Sequence, residues 1–248
     1  MIAIQTTDLT KKFGSKIAVD SLNLAINQGE LFALLGVNGA GKTTTIKMLS
    51  CLLTPTSGDA LLLGDSILTN SQRVKEKTNV SPQENAVAPN LSVEENLQFI
   101  AEIYGYNKQE AKNKTAEMLT TFRLTEVARD RAKTLSGGMQ RRLSIAMALI
   151  SGPEILFLDE PTLGLDVLSR RELWNTIKQL KGKVTIILTT HYMEEAASLA
   201  DRIGIMAAGQ LKAVGTLQEL TEQTQTNNLE DAFIALARLL AIPYHYCP

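Results

Sequence analysis

Eight consecutive residues, Gly36-Val37-Asn38-Gly39-Ala40-Gly41-Lys42-Thr43, satisfy the pattern GxxxxGK[ST], which suits binding of a nucleoside triphosphate. Glycines let successive backbone N–H groups turn inward around phosphate oxygens, at a helix start whose dipole favours negative charge. In such a loop Lys42 reaches the β- and γ-phosphates and the Thr43 hydroxyl binds Mg²⁺, with Thr44 beside them at the helix start. The loop alone says only that a nucleoside triphosphate binds, because kinases, GTPases and many motors share it.

A second group with chemical potential is Ile155-Leu156-Phe157-Leu158-Asp159-Glu160, an apolar run that ends in two carboxylates. Asp159 suits Mg²⁺ coordination and Glu160 is placed to orient or deprotonate an attacking water. Taken alone, the pair reads equally well as a strand end facing solvent. A third group, Leu135-Ser136-Gly137-Gly138-Met139-Gln140-Arg141-Arg142, opens a helix pattern with Ser136 as N-cap and two glycines that expose backbone N–H groups. It is a second anion-binding helix start.

These groups need elements to hold them. Short strands are predicted at Ile2–Thr6, Leu22–Ile26, Leu31–Leu35 and Ala60–Leu63, separated by Asn-Gln-Gly and Ser-Gly-Asp turns and interrupted by one helix from Gly41 to about Leu53. From about Glu94 to Ile150 the spacing of apolar residues turns helical, which predicts an inserted all-helical lobe. After Glu154 strands return at Ile155–Leu158 and Val184–Thr189, alternating with helices near Ser169–Leu180 and from Met193. That alternation predicts an α/β fold whose mainly parallel sheet offers its ligand site at the carboxyl ends of the strands. The tail holds an amphipathic segment from Thr216, a polar stretch from Thr224 to Asn228 and an apolar helix pattern at Ala232–Leu240.

Composition narrows the function classes. The formal net charge is -1 with lysines and arginines scattered among acids, so no long-range pull on nucleic acid or anionic membrane is expected. The two cysteines, Cys51 and Cys247, form neither a disulfide framework nor a metal spacing and fit a reducing cytoplasm. The start lacks the marks of a signal peptide and no apolar run approaches the roughly 18 residues of a membrane helix. The chain is therefore expected to stay in the cytoplasm and to meet a membrane only through a protein partner.

The order GVNGAGKT, LSGGMQRR, LFLDEPT resembles the nucleotide-binding domain of ABC transporters over essentially 2–214. The resemblance implies a P-loop NTPase fold with an antiparallel N-terminal β subdomain, an ATPase domain over 1–223 with its helical insertion at about 84–150, and a tail at 224–248 carrying a short helix. It implies that ATP and Mg²⁺ are bound, that Lys42, Glu160 and His191 are catalytic, and that Thr43, Asp159 and Gln83 hold the metal. Phe13 matches the position that stacks on adenine, although by itself it reads also as a core aromatic. His191 matches the switch histidine, although a lone histidine at a strand end is usually structural. In the family two such domains stack head to tail, so Ser136, Gly137, Gly138 and Asp166 are expected to reach the ATP of a second cassette, an identical copy. Leu163 stands where a small hydroxyl residue is usual and Val167 where proline is usual, which implies weaker communication between the two sites.

The wording after His191, with Tyr192-Met193-Glu194-Glu195-Ala196 and Ala200-Asp201-Arg202-Ile203, resembles exporter-type ATPases whose partner is a separate membrane permease docked near Gln83 to Tyr104. Localisation on the cytoplasmic membrane face through that permease follows. Two other readings compete with this one. A soluble ATPase of this superfamily acting on ribosomes or DNA usually carries two cassettes or long coiled-coil or zinc insertions, which are missing here. A regulatory module without hydrolysis is at odds with intact Lys42, Asp159, Glu160 and His191.

Overall fold

The strand that carries the phosphate loop, β3 (Leu31–Leu35), is buried at every position, as expected for a strand covered on both faces. Two strands precede it, β1 (Ile2–Phe13) and β2 (Lys16–Asn27), each far longer than the sequence pattern predicts. Their pairing shifts register between Thr6 and Leu9 and again between Leu9 and Lys11, and Asp8 and Ser21 adopt positive φ. Such bulges break the two-residue alternation that marks a strand in sequence.

After β3 come α1 (Lys42–Leu49), β4 (Ser57–Leu62), β5 (Asp65–Ser66), α2 (Ser71–Lys77) and β6 (Thr78–Ser81). Helix α1 stops short of the expected Leu53 because Cys51 takes a left-handed conformation, φ 57°, while the Leu52 and Leu53 amides turn back to the Lys47 carbonyl. The helical segment holds α3 (Val93–Ile103), α4 (Lys108–Thr121) and α5 (Gly137–Leu149). Capping boxes at Ser92 with Glu95 and at Asn107 with Glu110 set the first two starts, each satisfying two orphan amides reciprocally. The chain continues through β7 (Ile155–Asp159), α6 (Val167–Leu180), β8 (Thr185–Thr190), α7 (Met193–Leu199), β9 (Arg202–Ala207), β10 (Gln210–Gly215), α8 (Leu217–Thr224) and α9 (Leu229–Arg238). The structure, a computed structural model, describes residues 1–238; the end of the expected terminal helix at Leu239 and Leu240, and Cys247, lie outside the described residues.

Two sheets form. One is antiparallel in the order β2-β1-β4-β5; the other runs β10-β9-β3-β8-β7-β6, parallel throughout except for β10. Alternate residues of β3 enter different cores: Leu31, Ala33 and Leu35 pack with the helical segment, while Phe32 and Leu34 pack with α1 and the antiparallel sheet. Because β3 pairs with β8 and β8 with β7, Leu35 lies opposite Thr190, and Thr189 opposite Asp159. The phosphate loop, the acidic strand end and the histidine loop therefore leave the sheet side by side. Among the described residues, no helix is long and apolar enough to cross a membrane.

Candidate functional site

The loop between β3 and α1 is shaped by glycines that nothing larger could replace. A methyl group on Gly36 would lie 2.5 Å from the Met206 carbonyl oxygen, and one on Gly41 would lie 2.4 Å from the Ala18 carbonyl oxygen. Gly41 also takes φ 107° as N-cap of α1, a conformation costly for other residues. Lys42 is buried; its ammonium donates to the Gly36 carbonyl at 2.8 Å and the Val37 carbonyl at 3.3 Å, and it sits 3.3 Å from Glu160 Oε1.

Both acids at the end of β7 are buried, Asp159 at 4% and Glu160 at 9% exposure, which removes the reading of a strand end facing solvent. Asp159 Oδ1 accepts from the Thr43 hydroxyl at 3.1 Å and from the Thr189 hydroxyl. Glu160 is held in the left-handed region, φ 46°, by its amide donating to the Thr189 carbonyl at 3.1 Å. Strain of this kind persists where the surroundings over-determine it and gathers at functional sites. His191 Nδ1 lies 3.1 Å from Glu160 Oε2, so one carboxylate faces a lysine on one side and an imidazole on the other.

Around these groups opens a cleft of ≈ 470 Å³ lined by Phe13, Asn38 to Thr44, Gln83, Glu160, Leu163 and His191. Phe13 is 51% exposed, which rules out a core aromatic. Gly36 lies buried behind the lining, Val37 points outward, and Asp159 reaches the cleft through Thr43.

Ser136, Gly137, Gly138 and Asp166 are absent from this cleft and meet one another elsewhere. Ser136 caps α5 by accepting from the Met139 amide. Asp166 caps α6, accepting from the Leu168 and Ser169 amides and from the Ser169 hydroxyl at 2.7 Å. These bonds, led by those from Ser169, hold the Asp166 carboxyl below its ordinary range. Ser169 in turn packs against Gly138, so the two helix starts form one edge.

The family model described as ABC transporter matches residues 19–163, more than half of the chain. The chain belongs to the ABC transporter family. The linearmycin resistance ATP-binding protein LnrL of Bacillus subtilis is 41% identical over 247 residues, which cover 96% of this chain and 79% of that protein. The probable multidrug ABC transporter ATP-binding protein YbhF of Escherichia coli is 42% identical over 239 residues, covering 94% of this chain; the chain spans only 41% of YbhF. Among solved structures, an ATP-binding cassette in a dimeric post-hydrolysis state bound to ADP and Pi matches with a TM-score of 0.77 at 26% identity, over 86% of this chain and 98% of that one. The chain is an ATP-binding subunit of an ABC transporter, and it is an ATPase.

Two contributors to this ABC site have contacts there that the sequence does not show. Thr189, the next-to-last residue of β8, looks like any strand residue until the sheet register sets it against Asp159. Arg141, inside the Leu135–Arg142 motif, is buried and donates from Nε to the Pro161 carbonyl and from Nη2 to the Asp159 carbonyl, both at 2.9 Å, and from Nη1 to the Pro82 carbonyl. Burial pushes its pKa down to about 10 while Asp159 and Glu195 hold it up, so it stays cationic near neutral pH. One guanidinium on α5 thus ties together two backbone segments of the cleft, the turn at Pro82 and the stretch from Asp159 to Pro161.

The donor set fits Mg²⁺. Thr43 and Asp159 offer hard oxygen atoms side by side, Gln83 lines the same cleft, and no group of three or more metal-binding side chains exists among the described residues. Mg²⁺ characteristically takes one or two protein ligands together with substrate phosphates and water.

Proposed function

We propose that this ATPase cleaves ATP by in-line attack of water in the cleft, that a second copy arranged head to tail closes the site, and that the cycle drives a separate membrane permease in export. The observation that carries the catalytic part is the buried Lys42–Glu160–His191 contact at the end of three adjacent strands.

The adenine stacks on Phe13 and the phosphates enter the loop of Gly36 to Thr44. Thr43, Asp159 and Gln83 would hold Mg²⁺, which would supply neutralising charge to the phosphate oxygens. Phosphate competes with Glu160 for Lys42, so filling the cleft draws the ammonium away and frees the carboxylate to take a proton from water. His191 keeps that carboxylate and the water aligned. The helix start at Ser136 and Gly137, with Asp166, on a second copy would supply further donors to the phosphates.

Export is supported by the names of the relatives, a linearmycin resistance protein and a probable multidrug transporter subunit. A permease on the cytoplasmic membrane face is supported by the exposed apolar row Phe99, Ile103 and Tyr104 on and after α3. Leu163, on the cleft lining, offers no hydrogen bond across the dimer and weakens communication between the two sites.

Glu160→Gln is expected to keep ATP binding and lose steady-state hydrolysis by about 10²–10⁴-fold; turnover near wild type would refute the base assignment. Affinity purification of the chain from detergent-solubilised native membranes should bring down a multi-span protein. Recovery of ribosomes or DNA in its place would overturn the transporter role.

A further inference from the structure

Behind the cleft, α6 and α7 meet around a buried acid that the mechanism above does not use. Glu195, in the first turn of α7, is fully buried and joins none of the ion pairs among the described residues. Its Oε1 accepts from the Trp174 indole N–H on α6 at 3.0 Å. Burial pushes its carboxyl up, while the hydroxyls of Thr190 and Thr162, the Trp174 indole and the Arg170 charge pull it back. Arg141 on α5 is the other cation that feels it.

The partners of Glu195 belong to the loops that carry the reacting groups. Thr190 directly precedes His191, and Thr162 follows Glu160 by two residues. Trp174 and Arg170 lie on the helix capped by Asp166. Arg170 also stands 4.8 Å from the centre of the Tyr192 ring, which lies 4.1 Å from the His191 ring. Three buried side-chain atoms without a fully formed hydrogen bond gather here: Thr162 Oγ1, Arg170 Nε and Glu195 Oε2. Buried polar groups are normally paired, and a partly satisfied network opposes folding. The joint therefore has unspent bonding capacity, and a small shift of either loop can close it.

We propose that Glu195 is a positioning residue for hydrolysis, tying the His191 loop and the loop from Glu160 to Asp166 to α6 so that the two move together when the cleft fills. It rests on the reading of the cleft given above.

Trp174 is the single tryptophan of the chain, so its emission reports on the Glu195 bond directly. The full-length Glu160→Gln chain is titrated with MgATP while tryptophan emission is followed, with ATP affinity measured separately by calorimetry. ATP is expected to change the emission, and adding Glu195→Ala, which removes the acceptor of the indole N–H, is expected to abolish that change while affinity stays within about twofold. In the Glu160 chain, Glu195→Gln and Thr162→Val are expected to lower kcat by about two- to thirtyfold, the range for coupling residues, with KM near wild type. Two results overturn the proposal: ATP binding that leaves Trp174 emission unchanged, or a folded Glu195→Gln chain with wild-type kcat. Should Glu195→Gln not fold, Thr162→Val decides between the same outcomes. Failure of the underlying cleft reading looks different, because the Glu160→Gln chain would then still hydrolyse ATP.

Discussion

The phosphate cleft and the edge formed by the starts of α5 and α6 are both lined with groups suited to anions, yet they are built oppositely. At the floor of the cleft the charges are buried and answered from within the chain, Lys42 by Glu160 and Asp159 by Thr43 and Thr189. At the edge Asp166 and Ser136 do no more than cap their own helices, and Val167 and Leu168 beside them are 63% and 74% exposed. This chain alone is equipped to hold a nucleotide, whereas the edge leaves two capped helix starts and apolar side chains exposed. The head-to-tail second copy proposed above would use both.

Arg141 belongs to both regions, since it stands on α5 and holds the backbone of the cleft, and its removal is the most severe way to break the comparison. Arg141→Ala leaves the Pro82, Asp159 and Pro161 carbonyls without their donor, and a loss of about 3 kcal/mol in denaturant unfolding is expected. A change within experimental error would mean that the bridge contributes nothing.

The two glycines of the edge sharpen the contrast. A methyl group on Gly138 would lie 2.7 Å from Ser169 Oγ and 2.8 Å from its Cβ, while one on Gly137 meets nothing within 4 Å. Gly138→Ala should cost about 1–3 kcal/mol through overpacking. Gly137→Ala should leave thermal stability unchanged but still reduce hydrolysis, because its methyl would intrude on the partner's nucleotide. Wild-type turnover in Gly137→Ala would argue that nothing docks there.

The smallest effect belongs to the cleft rim. Phe13 is exposed, so Phe13→Ala should not alter stability, whereas losing a base-stacking surface should weaken ATP binding by about 1–3 kcal/mol, read by calorimetry. Unchanged affinity would place the adenine elsewhere.

The parts of this molecule that were legible in the sequence are those whose chemistry is carried by neighbours along the chain. The phosphate loop, the Asp159-Glu160 pair and the Ser136 cap each need only local spacing, and the alternation of β7, α6, β8 and α7 already implied a parallel sheet. What stayed hidden depends on contacts between distant segments. Thr189 acquires its role from register with β7, Arg141 from three carbonyls on two separate segments, and Glu195 from an indole 21 residues away in the chain. In β1 and β2 bulges hid the strand lengths, and β6, four residues long, is too short to show periodicity beside its flanking turns. Phe13, ambiguous in sequence between core and rim, is decided by its exposure.

Whether the edge completes the cleft of a second copy is read from the molar mass of the Glu160→Gln chain in solution. With MgATP the mass by light scattering should double, and Ser136→Arg in the same background should return it to that of one chain while ATP remains bound. A Glu160→Gln chain that binds ATP and stays a monomer, or a dimer indifferent to Ser136→Arg, would contradict the account.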